Sequence, residues 1–129
     1  MRNLLFPKEN YAPYISFNQH SGIFEIRGES HMEYPQQFYK PVLAWLEEFL
    51  RHSKSPIEFN FRMSYYNTGS SRMFFEVLAL LEDRKAPVVI NWYVHHKDVD
   101  MIDEGESFQE DFPLLDFNVI VQQQELTFG

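Results

Sequence analysis

The chain alternates between segments with the period of a β-strand and segments with the spacing of an amphipathic helix. Residues 14–18 and 23–28 alternate apolar and polar side chains, and a polar, turn-rich segment at 18–22 joins them. Because successive residues of a strand point to opposite faces, each run predicts a strand with one buried face. The short polar connection predicts a β-hairpin.

A helix is predicted after the irregular loop at 29–35. Its apolar residues recur at the spacing of one helix face. They are Phe38, Val42, Trp45, Leu46, Phe49 and Leu50. Pro41 falls within the first turns, so it either marks the start of this helix or kinks it.

A second pair of strand and helix follows. Residues 57–63 alternate with period two, and the apolar residues of 74–81 have helix spacing. This helix is predicted to run to about Lys85 and to end before Pro87. The polar hinge at residues 65–72 joins the strand to the helix.

The rest of the chain predicts two more strands. Residues 88–94 are nearly all apolar, which is typical of a central strand covered on both faces. Residues 95–113 are acidic and predict a solvated connection that is helical in part. Residues 117–121 alternate again and predict the last strand.

The predicted order is therefore β-β-α-β-α-β, then a connection and a fifth strand. Each helix follows one strand and returns to another, which favours crossovers between parallel neighbours. The sequence predicts an α/β (α+β) fold with a single mixed β-sheet of about five strands, covered mainly by two or three helices.

Length and composition favour one domain that spans residues 1–129. The chain is 44% hydrophobic and has 13 Phe, 7 Tyr and 2 Trp, which is enough aromatic material for one core. Its net charge of -8 repels a phosphate backbone, so nucleic acid is not expected as a partner.

Sequence features also favour a cytoplasmic location. The chain has no cysteine, which fits a reducing compartment. The apolar run within residues 1–7 is too short for a signal peptide, and no other stretch is long enough for a membrane span. Membrane insertion is therefore not expected.

The hinge, Tyr-Tyr-Asn-Thr-Gly-Ser-Ser-Arg at residues 65–72, is the candidate functional site. It stands where a helix leaves a sheet, and unpaired amides and the helix dipole favour an anion at such a point. Thr68 is where a phosphate would sit, with Ser70 and Ser71 as alternative phosphorylation sites. Polar residues here also serve as ordinary helix caps, which is their more common role.

Spacings typical of metal and catalytic sites are incomplete. His95 and His96 are adjacent and would point to opposite faces of a continued strand, which is poor geometry for one metal ion. Glycine patterns for phosphate binding are missing, and the hinge serines lack the surroundings of a nucleophile. Acidic pairs such as Asp103 and Glu104 are typical of a solvated face. We expect no cofactor, metal or catalytic residue, with a small acidic-site enzyme as the alternative.

Several segments carry a resemblance to one known family. The most specific is the motif Tyr-Asn-Thr-x-Ser-Ser at residues 66–71. The other segments are residues 14–18, 28–30, 38–42, 45–46, 63–72, 92–93, 100–101 and 105–108. With these segments, the chain resembles the SiaC-type regulatory phosphoproteins of bacteria over nearly its full length. That family has a fold similar to STAS anti-anti-sigma domains, so the resemblance implies a STAS-like fold.

The resemblance implies a non-enzymatic signalling role. In SiaC-type proteins the hinge threonine is phosphorylated by a dedicated protein kinase and dephosphorylated by a PP2C-type phosphatase, which implies phosphorylation of Thr68. The unphosphorylated form of known members binds and activates a diguanylate cyclase, which raises cyclic di-GMP and favours biofilm growth. A diguanylate cyclase is therefore the expected effector, with partner switching in another pathway, such as sigma-factor control, as the alternative.

The partner-binding surface is expected around the same hinge. Its expected residues are Tyr65, Tyr66, Asn67, Gly69, Ser70 and Arg72. Tyr65 and Tyr66 point to opposite faces of a strand end, so at least one is expected to pack in the core. Gly69 and Arg72 stand where the family commonly has serine or threonine and lysine, and 95–97 replaces a more acidic run. Pairing of two copies into a homodimer stays open.

Overall fold

The computed structural model of the protein describes residues 1–123, which form six strands and three helices. In chain order the elements are β1 (Leu4–Phe6), β2 (Tyr14–Asn18), β3 (Ile23–Ser30), α1 (Pro35–His52), β4 (Ile57–Tyr66), α2 (Thr68–Glu82), β5 (Val88–His95), α3 (Val99–Asp111) and β6 (Asp116–Gln122).

The strands form one mixed sheet and lie side by side in chain order, from β1 at one edge to β6 at the other. β1, β2 and β3 are antiparallel neighbours, whereas β3, β4, β5 and β6 are parallel neighbours. A helix lies within each parallel connection, because parallel strands need a long crossover. The predicted mixed sheet is confirmed, with six strands where about five were expected.

The hairpin between β2 and β3 is also confirmed, and it depends on Asn18 and Gly22. Oδ1 of Asn18 accepts hydrogen bonds from the backbone N–H groups of His20 and Ser21, at 2.9 and 3.1 Å. Gly22 has a φ of 74°. A Cβ at this position would lie 2.4 Å from the carbonyl oxygen of Pro56. The turn therefore requires glycine at position 22.

α1, α2 and α3 pack against the same face of the sheet. The aromatic contacts that join sheet to helix are Phe24 with Phe49 of α1 at 5.2 Å, Phe61 with Phe74 of α2 at 5.4 Å and Trp92 with Phe108 of α3 at 5.5 Å between ring centroids. Phe61 is in register with Ile26 of β3 and Trp92 of β5, so these side chains share one face. The core lies between this face and the helices.

The other face of the sheet is polar, and none of the described helices packs on it. Arg62 lies 3.2 Å from the carboxylate of Glu25, and its guanidinium carbon is 3.8 Å from the ring centroid of Tyr93. The side-chain amide of Asn91 donates to Oδ1 of Asn60 at 3.0 Å. The prediction that β5 is covered on both faces is wrong, because Asn91 and Tyr93 are half-buried residues of this open polar layer.

The acidic connection after β5 is more ordered than expected. Most of it forms α3, and Oδ1 of Asp98 caps this helix by accepting a hydrogen bond from the backbone N–H of Met101 at 3.2 Å. The buried residues Met101, Gly105 and Phe108 lie on one helix face, which turns towards the sheet. The carboxylates occupy the exposed side.

The structure also differs from the sequence prediction in β1 and α2, and it decides the start of α1. β1 was not predicted, because three residues at a sheet edge are too short to show a period. α2 ends at Glu82, before the predicted end near Lys85. α1 begins at Pro35 and continues through Pro41, so Pro41 lies within the helix and does not mark its start.

Candidate functional site

The predicted hinge is the junction between β4 and α2, and this junction is confirmed. Asn67 is the N-cap of α2: its Oδ1 accepts a hydrogen bond from the N–H of Ser70, and its carbonyl accepts one from the N–H of Ser71, both at 2.9 Å. Thr68 is the first residue of the helix and is exposed to solvent. It therefore lies at the positive end of the helix dipole.

Asn67 also holds the hinge against the preceding parallel strand. Its backbone N–H donates to the carbonyl of Ser30, the last residue of β3, at 3.0 Å. Its side-chain Nδ2 donates to the carbonyl of Met32 at 3.0 Å. Both side-chain atoms of the Asn67 amide are thus used, one by α2 and one by the loop between β3 and α1. The position of Thr68 is fixed from two sides.

Ser70 lies in a buried hydroxyl cluster and not on the surface. Its side chain is 0% exposed, and Ser30 Oγ donates to Ser70 Oγ at 2.8 Å. Ser70 Oγ in turn donates to the carbonyl of Ser30 at 3.1 Å. The hydroxyl of Tyr39 completes the cluster at 2.7 Å from Ser30 Oγ, and burial raises the pKa of Tyr39 above the ordinary phenol value. These contacts overturn the expectation that Ser70 is an alternative phosphorylation site and a contact residue, because a buried hydroxyl is not accessible to another protein.

Tyr65 and Tyr66 face opposite sides of the strand end, as predicted. Tyr65 is 51% exposed, whereas Tyr66 is half-buried and packs edge-on against Phe74. The hydroxyl of Tyr66 donates to Oε2 of Glu104 in α3 at 3.0 Å. Burial, and then the negative charge of Glu104, raise the pKa of Tyr66 above its ordinary value. Tyr66 therefore connects the hinge to α3, and Tyr65 is available to a partner.

The remaining hinge residues lie along the first turns of α2. Gly69 is packed so closely against α1 that a Cβ would lie 2.7 Å from Cγ of Pro35. A larger residue at position 69 would therefore require Pro35 to move. Ser71 is half-buried and Arg72 is exposed. Arg72 follows Thr68 by one helical turn, so the two residues share a helix face.

Sequence reasoning missed a group of aromatic side chains beside the hinge. The ring of His31 lies 5.1 Å from that of Tyr11 and 5.7 Å from that of Tyr65, edge-on in both cases. Tyr11 comes from the loop before β2 and His31 from the loop after β3. No sequence period links them, because they are brought together only by the pairing of the strands.

Within residues 1–123, no group of three or more His, Asp or Glu side chains could hold a metal ion. None of the helices formed by these residues is long and apolar enough to cross a membrane. The rings of the adjacent His95 and His96 lie 4.5 Å apart between centroids, with their planes tilted by 33°.

Comparison with known proteins gives the relationships of this chain. The family model described as SiaC family regulatory phosphoprotein matches residues 6–122. An uncharacterised protein of Pseudomonas aeruginosa strain UCBPP-PA14 is 28% identical over an alignment of 114 residues, and the match covers 86% of this chain and 90% of that protein.

Two solved structures from Pseudomonas aeruginosa share the fold. The crystal structure of apo-SiaC matches with a TM-score of 0.84 and 28% identity, and covers 95% of this chain and 99% of that chain. The crystal structure of the diguanylate cyclase SiaD in complex with its activator SiaC matches with a TM-score of 0.82 and 27% identity, over 92% of this chain and 98% of that chain. Since the family model matches nearly the whole chain, the protein belongs to the SiaC family of regulatory phosphoproteins.

Proposed function

We propose that the protein is a non-enzymatic switch in which reversible phosphorylation of Thr68 selects the partner. One observation carries the proposal: Thr68 is exposed at the first position of α2, whereas Ser70, two residues later, is fully buried. Ser71 is half-buried, so Thr68 is the most exposed of the three serine and threonine residues of the hinge. The proposed partners are a protein kinase, a PP2C-type phosphatase and an effector protein.

The fold tolerates a phosphate at this position. Phosphorylation adds about -1.5 to -2 charge units and three acceptor oxygens. At the N-terminus of α2 the helix dipole stabilises such a charge by roughly 0.3 to 1 kcal/mol. Arg72, one turn further along the same helix face, supplies a guanidinium that pairs with the phosphate. Modification therefore changes the surface and leaves the scaffold folded.

For a partner that covers the hinge, the phosphate changes the affinity. If the partner brings no further cation to Thr68, binding must remove water from a phosphate whose charge Arg72 alone does not cancel, at a cost of several kcal/mol. A loss of about 2.7 kcal/mol lowers the affinity about a hundredfold. One phosphoryl group is therefore sufficient to release such a partner, while a partner with an arginine or lysine opposite the phosphate gains affinity.

The proposed effector is a diguanylate cyclase, activated by the unphosphorylated form. Support comes from the Pseudomonas aeruginosa structure in which SiaC, with the same fold and 27% identity, is bound to the cyclase SiaD as its activator. In this proposal the switch acts in the cytoplasm, where ATP and GTP are available, and controls cyclic di-GMP and biofilm growth.

The test combines phosphorylation and binding. The wild type, Thr68→Ala, Ser70→Ala and Ser71→Ala are incubated with the cognate kinase and ATP, and the incorporated phosphate is located by mass spectrometry. We expect loss of phosphorylation only in Thr68→Ala. The unphosphorylated and phosphorylated wild type are then titrated with the cyclase, and production of cyclic di-GMP from GTP is measured.

The expected result is activation by the unphosphorylated protein and at least about a hundredfold weaker binding after phosphorylation. Phosphate on Thr68→Ala at another hinge position would show that the site is misassigned. Equal binding of both forms would contradict the switch. Light scattering on the free protein determines whether two copies associate, which stays a prediction.

A further inference from the structure

A cavity of about 520 Å³ opens beside the hinge, between the loop before β2 and the start of α1. Three aromatic side chains contribute to its wall, namely Tyr11, Tyr34 and Phe38, together with the imidazole of His31. Tyr11 and Tyr34 are 63% and 62% exposed. Their rings are therefore open to a ligand that enters the cavity.

The charged residues of the wall favour a positively charged ligand. Glu33 is an exposed member of the lining, and the lining residues, all within the described part of the chain, include neither lysine nor arginine. Glu29, which does not line the cavity, lies 3.3 Å from Nε2 of the lining residue His31. Aromatic faces attract cations, and a carboxylate at their edge adds to this attraction. The cavity thus has the charge of a cation-binding site.

The residue types of the wall favour guanidinium over ammonium. Arginine carries a planar group that stacks on aromatic rings and pairs with carboxylates through its edge, whereas lysine ends in a compact, strongly hydrated charge. Tyrosine rings with one accessible carboxylate match the planar group. Interfaces also concentrate binding energy in tyrosine and arginine pairs.

The cavity belongs to the same rim of the molecule as Thr68. Met32 is part of the lining, and its carbonyl accepts the hydrogen bond from Asn67 Nδ2 at 3.0 Å. Tyr65 of the hinge contacts His31 on the other side. No hinge residue lines the cavity itself, so the cavity and Thr68 are separate parts of one surface.

We propose that this cavity binds the guanidinium group of an arginine side chain presented by the effector protein, between the rings of Tyr11 and Tyr34 and beside Glu33. The identity of the effector rests on the proposed function above, but the cation preference of the cavity does not. An arginine bound there anchors the partner next to Thr68, and phosphorylation of Thr68 then prevents the rest of the interface from forming.

The first experiment uses a small probe and the free protein. N-acetyl-L-arginine methylamide is titrated into the ¹⁵N-labelled protein, and amide shifts are followed by NMR, with the corresponding lysine and citrulline compounds as comparisons. We expect saturable shifts centred on residues 31–38 and on Tyr11, strongest for arginine. Citrulline has nearly the same shape without the charge, so equal shifts from citrulline, or no saturable shifts from arginine, would overturn the proposal.

Two variants probe the wall without disturbing the fold. Glu33→Gln removes the charge, and Tyr34→Leu keeps an apolar side chain but removes the aromatic face. Tyr34 precedes α1 and its side chain makes no capping hydrogen bond, so both variants are expected to fold. Each should weaken arginine binding by about three- to tenfold. Glu48→Gln, at an exposed position of α1, is the matched control and should leave the affinity unchanged.

The second experiment measures binding of the cyclase by the same variants. We expect Glu33→Gln and Tyr34→Leu to weaken it by at least the factor seen with the probe, with Glu48→Gln as wild type. If the wild type binds the cyclase and phosphorylation releases it, yet both cavity variants bind normally, the arginine anchor is wrong while the switch stands. If the wild type does not bind the cyclase, that effector is wrong, and the probe titration alone decides on the cavity.

Discussion

Gly105 of α3 lies directly against the indole ring of Trp92 in β5. A Cβ at position 105 would be 2.4 Å from Cδ1 of the ring and 2.7 Å from Nε1. The same indole donates a hydrogen bond from Nε1 to the carbonyl of Met101 at 2.9 Å, in a buried environment. α3 therefore approaches the sheet as closely as it does because residue 105 has no side chain.

Substitution of Gly105 by alanine tests this contact. The added methyl group has to displace the indole ring or lift α3, and we expect a loss of about 1 to 3 kcal/mol in the free energy of unfolding. The gain in helix propensity from glycine to alanine, roughly 1 kcal/mol, offsets only part of this. Urea denaturation followed by tryptophan fluorescence provides the measurement. Ser107→Ala, on the exposed side of the same helix, should change stability by less than about 0.5 kcal/mol.

Two substitutions at Asn67 separate its two roles. Asn67→Ala removes the cap and the hydrogen bond to Met32, and we expect a loss of about 1 to 2 kcal/mol. Asn67→Asp keeps an acceptor for the N–H of Ser70 but cannot donate to Met32, so its loss should be smaller. Denaturation curves of the two variants give the comparison. A loss in Asn67→Asp as large as that in Asn67→Ala would contradict the expectation that the retained cap outweighs the lost contact with Met32.

Ser70→Ala removes a buried hydroxyl from the cluster with Ser30 and Tyr39. Because the partner groups remain buried, we expect a loss of about 1 to 3 kcal/mol in stability. Thermal denaturation measures it, with Ser71→Ala as the control for a hydroxyl that is not fully buried. An unchanged melting temperature for Ser70→Ala would contradict a stabilising role for the cluster.

Alkaline pH should destabilise the protein through two tyrosines. Burial raises the folded-state pKa of both Tyr39 and Tyr66 above the ordinary value of 10.0. Above that value the unfolded chain releases protons that the folded chain retains, so the free energy of unfolding falls as pH rises. Below pH 10 this contribution is constant. Denaturation curves between pH 8 and about 11 should show the decline, and Tyr66→Phe should reduce it. If the free energy of unfolding of Tyr66→Phe falls with pH as steeply as that of the wild type, Tyr66 is not a cause of the decline.

The junction that presents Thr68 could be predicted from local sequence patterns. The period of two in residues 57–63 predicts a strand before the hinge, and the helix spacing in 74–81 predicts a helix after it. Both patterns arise because each element buries one apolar face in the same core. The role of Ser70 could not be predicted in this way. A serine in the first turn of a helix has the sequence signature of a cap, and only the pairing of β3 with β4 brings it to Ser30, 40 residues away.

α3 was predicted only in part for a similar reason. Its many carboxylates are typical of a solvated segment, and a glycine in the middle usually indicates a break. The spacing of Met101, Gly105 and Phe108 is that of one helix face. Gly105 is recognised as part of the buried face only from its contact with Trp92, which the sequence does not show. The aromatic wall around Tyr11 and Tyr34 also depends on contacts between distant loops.

The open polar face of the sheet offers a place for a reporter group. Glu58 is exposed at the start of β4 on that face, whereas Thr68 follows the end of the same strand. Since the chain has no cysteine, Glu58→Cys creates a single thiol that accepts one fluorophore. A dye at this position stands at the far end of the strand from the hinge, so the anisotropy of its fluorescence reports partner binding through the slower tumbling of the complex.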